Sequence, residues 1–205
     1  MQPVPYAQLE RELSGRITFE TLPVLPEPGA SYDGILTAPS ARIGERLAGQ
    51  ARQAVDGFDQ LSGPPRLPLE VVAGGPGENL AVAYHAGFGS NALFPLGPEG
   101  FQDITGRGEG ALAIVFDHAI TRFALKLHAD YADPLGSRPI PGPVTITFHD
   151  AAGNPIAMQT LRPDTGVAPY GFHLPSPARA VTITHMDPGG IAVDDILYPL
   201  DTPTS

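Results

Sequence analysis

Residues 144–150 read VTITFHD and residues 180–186 read AVTITHM. Apolar and polar residues alternate in both. A period of two puts Val144, Ile146 and Phe148, and likewise Val181 and Ile183, on one face of a half-buried strand. The same texture recurs on either side, in RITFE (16–20), LEVVAG (69–74), NLAVAY (79–84), ALAIVFD (111–117) and ITRFALKLHA (120–129). It continues in NPIAMQTL (154–161), YGFHL (170–174) and GIAVDDILY (190–198). In the stretch 41–55, Ile43, Leu47 and Ala51 also fit a helix, but Gly44 and Gly49 favour a strand over ARIGERLAG. The stretches DHA, PLGSRPIPGP, DAAGNP, RPDTGVAP, LPSPA and DPGG read as turns between these runs. About ten short strands with no helical pattern between them predict an all-β fold, a two-sheet antiparallel sandwich rather than a parallel α/β sheet. Its expected core includes Ile114, Phe116, Phe123, Leu125, Ile146, Phe148, Ile183 and Ile191.

Outside that texture, YAQLEREL (6–13) sets Leu9 and Leu13 four apart around Glu10 and Arg11, the spacing of a short amphipathic helix. The organisation read from the chain is therefore an N-terminal appendage with a short helix (1–15), a β-sandwich domain (16–198) and a flexible tail (199–205).

Composition narrows the function. The 205 residues include 24 Gly and 24 Pro with no G-x-y period, which excludes collagen and requires frequent turns. Twelve Lys and Arg against 22 Asp and Glu give a net charge of −10, which repels a phosphate backbone, so nucleic acid is not expected as a partner. Excess carboxylate suits a hard cation such as Ca²⁺, or serves solubility alone. With no Cys there is no disulfide, thiolate metal site or cysteine nucleophile. No apolar run reaches the ~18 residues of a membrane span. The opening MQPVPYAQLERELSG lacks the basic and apolar regions of a signal peptide. The expected location is extracellular, on a cell surface or a particle surface, reached after leader removal or by another route.

No motif announces catalysis. GGPGEN (74–79) and GRGEGA (106–111) lack both the strand-to-helix setting and the GK[ST] ending of a phosphate loop, so their glycines read as turn residues. There is no G-x-S-x-G, and the six histidines form no H-E-x-x-H. Trp is absent, so sugar stacking falls to tyrosine. Tyr84 and His85 at one strand end, and His128, Asp130 and Tyr131 at another, are the candidate ligand residues. His128 and Asp130, two apart, share a face. Asp133 and Arg138 in the following loop add groups that hydrogen-bond hydroxyls or a carboxylate.

A second constellation joins the chain ends. ITFE opens the sandwich and IAVDDI closes it, so if first and last strands are neighbours, Glu20 meets Asp194 or Asp195. Asp33 follows in the next loop. Close carboxylates call for a counter-charge, and Ca²⁺ with oxygen ligands at about 2.3–2.6 Å supplies one. The alternative is that these acids accept from turn amides with no metal.

The opening FE, the stretch GEGALAIVFD (108–117), the turn DAAGNP and the closing GGIAVDDILY together resemble the jelly-roll sandwiches of exported bacterial proteins, including the PEP-CTERM type. FE and DDI are also similar to MAM domains and jelly-roll carbohydrate-binding modules. The resemblance covers about residues 16–198. It implies a jelly-roll fold with a structural Ca²⁺ between first and last strands, held by Glu20 and Asp194 with Asp195 as alternate. The MAM cysteines and the stacking Trp of many carbohydrate-binding modules are not present in this sequence.

The leading functional expectation is a non-catalytic, surface-displayed carbohydrate-binding or adhesion module that recognises polysaccharide or capsule glycan, as an adhesin or the spike of a virus-like particle. The alternative is a structural sandwich that docks a protein partner through the N-terminal segment and Pro-rich loops. A third reading is a glycan hydrolase or lyase, for which no residue set stands out.

Overall fold

The computed structural model describes residues 1–129 and 141–200. Its elements begin with β1 (Gln2–Pro3), α1 (Tyr6–Glu12), β2 (Gly15–Ile17), β3 (Ala30–Tyr32), β4 (Leu36–Ala38) and β5 (Ala41–Gly44). β6 (Arg46–Leu47), β7 (Ala51–Val55), β8 (Phe58–Ser62) and β9 (Val71–Val72) follow. The long strands come next: β10 (Leu80–His85), β11 (Ser90–Pro95), β12 (Leu112–Ala129), β13 (Val144–His149), β14 (Pro155–Leu161), β15 (Gly166–His185) and β16 (Ile191–Tyr198). The fold is all-β, with antiparallel sheets and one short helix near the N-terminus.

Two strands organise everything else. β12 and β15 pair along nearly their whole length, with register shifts between Val115 and Ile120 and between Ile120 and Arg122. Such bulges bend a strand enough to pass it from one sheet to another. Before the bend, residues 112–116 of β12 lie between β5 and residues 180–183 of β15, giving the layer β4-β5-β12-β15-β13-β14. After it, residues 124–129 pair with β16, giving the layer β3-β10-β11-β16-β12-β15-β1, with β2 also beside β16. The sequence reading placed turns at DHA and LPSPA; the structure carries both strands through these stretches as bulged segments instead.

Inward side chains of both layers form one core. All eight expected core residues are buried there. Phe123 of the second layer packs edge-on against Phe148 of the first at 5.4 Å between ring centroids, and Phe148 meets Phe172 at 6.2 Å. These are favourable aromatic geometries.

The outward face of the first layer is covered in its turn. Residues of the 45–72 excursion, Leu47, Leu69 and Val71, pack on Ala113, Val115 and Ala180. The excursion itself carries a charged network that the sequence reading missed. The fully buried Glu45 pairs with Arg46 and, at 2.9 Å, with Arg52. Arg52 also reaches Glu78 at 2.6 Å and Asp59 at 3.6 Å. Burial pushes the Asp59 carboxyl up to about 6, against the pull of Arg52.

Candidate functional site

Strand alternation sorts the side chains of the second layer. Leu80 and Val82 of β10 face the core, while Ala81 and Ala83 face outward, joined there by Ala92 and Phe94 of β11 and Ala192 of β16. Cross-strand register places Ser90 opposite His85, and Lys126 opposite Asp194, on the same outward side. The alanines are fully buried, packed with Leu96, Phe88 and Phe101, and two chain segments cover the ends of this face.

One is α1. Tyr6 and Leu9 pack on Ala124 and Leu197, and Val4 N–H donates to the Gly171 carbonyl at 2.9 Å. Gly171 permits this approach, since a Cβ there would lie 2.5 Å from the Val4 oxygen. The apolar face of the N-terminal helix is thus spent on the chain's own sheet.

The other is the tip of the β10–β11 hairpin. β11 and β16 lie between the strands of His85 and His128, so three steps of about 4.8 Å separate the two backbones by roughly 14 Å in a flat sheet. The rings nevertheless lie 4.4 Å apart, centroid to centroid. The β10 end therefore curls over the face. Gly87 allows it, because a Cβ there would sit 2.8 Å from His85 Cε1 and 3.1 Å from Val167 Cγ2. Phe88 closes on His85 edge-on at 5.1 Å. Burial pushes His128 down to about 4, with His85 adding to the shift, and burial also lowers His85 against the pull of Glu27.

Between helix and tip lies a polar cluster. Asp194 is 1% exposed; its Oδ2 accepts from Ser90 Oγ at 2.6 Å, and among the described residues Oδ1 has no hydrogen-bond partner. Burial raises this carboxyl to about 6; Ser90 and the Asp195 amide oppose the shift, while the Asp195 and Glu20 carboxylates add to it. Asp195 adopts a positive φ of 49°, and its carboxylate meets Lys126 Nζ at 2.6 Å and Arg16 Nε at 3.4 Å. Tyr6 donates to the Asp195 carbonyl at 3.0 Å, and Lys126 Nζ stands 5.8 Å from the centre of the Tyr6 ring. Glu20 Oε1 accepts from the Asn91 amide at 2.7 Å, next to Ser90.

The candidates from the sequence divide accordingly. Glu20 and Asp194 come together, as do His85 and His128. Tyr84 and His85 part, because neighbours in a strand face opposite ways; Tyr84 lies at the sandwich end, where its amide donates to Leu25. Asp33 is elsewhere, accepting from Gly77 N–H at 2.8 Å. Asp130, Tyr131, Asp133 and Arg138 lie outside the described residues.

The four acids do not fit a Ca²⁺ cage as a set. Ca²⁺ takes six to eight oxygens, whereas Asp195 is committed to two cations and Asp33 to a turn. Among the described residues no group of three or more His, Cys, Asp or Glu is placed to hold a metal. Glu20, Asp194 and Ser90 remain as two carboxylates and a hydroxyl.

A further buried acid escaped the sequence reading. Glu109 is pushed up to about 8, chiefly by burial and then by Asp187 and Asp103, against its own backbone amide. Its burial depends on contacts from residues remote in sequence, such as the Asp59 N–H that donates to the Glu109 carbonyl at 3.2 Å. Nothing local in GRGEGA signals that.

No family model and no curated protein matches the chain. Among solved structures it is similar to two single-residue variants of CBM29-2, a family 29 carbohydrate-binding module probed for its mechanism of ligand recognition. One match has 12% identity and a TM-score of 0.37, covering 60% of this chain and 83% of the module. The other has 13% identity and the same TM-score, covering 80% and 99%.

Proposed function

We propose that this protein is a non-catalytic glycan-binding module, and that sugar is recognised on the outward face of the second layer between α1 and the β10–β11 tip. One observation carries the reading: partly exposed donors, Lys126 and Arg16, stand beside acceptors, Asp195 and Glu20, around the buried Asp194–Ser90 pair. A sugar hydroxyl both donates and accepts. A patch that presents charged donors and acceptors together meets both needs with short, charge-assisted bonds. Display on a cell or particle surface, with a capsule or other polysaccharide as ligand, belongs to the same proposal.

A glycan array probed with the whole chain tests it. The expected result is binding to at least one acidic or neutral polysaccharide, weakened tenfold or more by Lys126→Ala while the melting temperature holds. Failure to bind any glycan would overturn the reading. Turnover of a bound glycan, lost on a single acidic substitution, would replace it with the hydrolase or lyase reading.

A further inference from the structure

β14 is the outermost strand of the first layer, paired along its length with β13. Its sequence, PIAMQTL, carries no charge, and its one proline is the first residue. Long edge strands are usually blunted by lysine, internal proline or inward charge, because their free N–H and C=O groups recruit other strands. The other layer edges, β1, β3 and β4, have three residues or fewer. β14 has seven, and its central Met158 is 68% exposed. A bulge lies near the Pro155 end, between the Phe148 and His149 pairings, so the regular ladder runs from Ala157 to Leu161.

We propose that β14 pairs antiparallel with β14 of a second copy of this chain, about a two-fold axis at Met158 or Gln159. The charges at the strand ends select this occupant. Asp150 heads the hairpin turn before β14, its carboxylate accepting from the amides of Ala152 and Asn154 at 2.9 Å each. The exposed Arg162 directly follows the strand, with the exposed Asp164 beyond it after Pro163. Two-fold antiparallel pairing centred on Met158 sets Arg162 of one copy against Asn154 of the other, and centring on Gln159 sets it against Ile156. Either way each copy's cation meets the turn that carries the other's anion, twice per dimer. A parallel pairing in register stacks Arg162 on Arg162 and Asp150 on Asp150.

The test uses the full chain, which contains no cysteine. Sedimentation over a concentration series should show the 21.5 kDa chain doubling in mass. Met158→Lys should return it to monomer with an unchanged far-UV spectrum, and Arg162→Glu should weaken the dimer about tenfold. A cysteine at the axis position, Met158→Cys or Gln159→Cys, should under mild oxidation form an intermolecular disulfide at least ten times faster than Val24→Cys at a similarly exposed control position. A monomer at all concentrations, a dimer indifferent to Met158→Lys, or equal cross-linking at the two positions would each overturn the proposal.

Discussion

The imidazoles of His85 and His128 lie 4.4 Å apart across two intervening strands, both inside the fold. Two cations at that distance with little water between them would repel strongly, so the pair persists as neutral rings. An unfolded histidine takes its proton near pH 6.5, whereas His128 waits until about 4. The unfolded state therefore binds more protons between those values, and stability contributed by His128 is lost as pH falls through this window. Proton NMR of the His128 ring should give a midpoint near 4; a midpoint above 6 would mean that the hairpin tip does not close over the sheet.

Glu109 acts in the opposite sense and in a different window. Its folded carboxyl holds its proton up to about pH 8, while the unfolded chain releases it near 4.5. The folded state thus binds more protons, and stability falls as pH rises toward 8. Unfolded histidines release their protons near pH 6.5 and oppose this trend, so the Glu109 contribution between pH 6.5 and 8, ~2 kcal/mol, is read as the difference between the wild-type and Glu109→Gln profiles. Glu109→Gln should flatten this part of the stability profile and stabilise the protein at pH 8. An unchanged slope in urea titrations at the two pH values would refute the assignment.

Arg52 holds three carboxylates, of which Glu45 and Asp59 are buried. Removing it leaves charge in the interior without a partner, so Arg52→Ala should cost about 3–5 kcal/mol. Arg42→Ala breaks an exposed pair with Asp117, 3.0 Å apart, and should cost less than about 1 kcal/mol. Equal effects in denaturant melts would show that the network around Arg52 carries no such weight.

Calcium supplies a separate check on the chain-end acids. Two carboxylates and a hydroxyl fall short of a Ca²⁺ shell, so melting curves in excess calcium and in chelator should coincide within about a degree. A rise of several degrees that Asp194→Asn abolishes would instead put an ion between Glu20 and Asp194.

Where the fold was legible, the reason is local. The alternation in VTITFHD and AVTITHM reports a face directly, because period two is a property of the strand itself. β11 went unread, since GFGSN drew attention to its glycines while SNALFP has no clean alternation. The β7–β8 hairpin also went unread, although its turn residues Asp56 and Gly57, both with positive φ, are the pattern of a tight two-residue turn. The convergence of Glu20 and Asp194 followed from asking which strands are neighbours. The His85–His128 contact did not, because curvature brings the two rings together and no residue spacing encodes it. Glu45, Arg52, Asp59 and Glu109 are buried by packing between distant segments, and their identity alone predicts a solvated surface.

β12 and β15 each belong to both layers, so the two sheets share their central hydrogen bonds. Neither layer can open while the other stays closed, because the same pair of strands would have to be zipped and unzipped at once. Amide exchange along residues 112–129 and 166–185 should accordingly report one common opening free energy, and a proteolytic nick at the 150–153 turn should release no stable half. The molecule behaves as a single cooperative unit whose melting is triggered wherever that strand pair first comes apart.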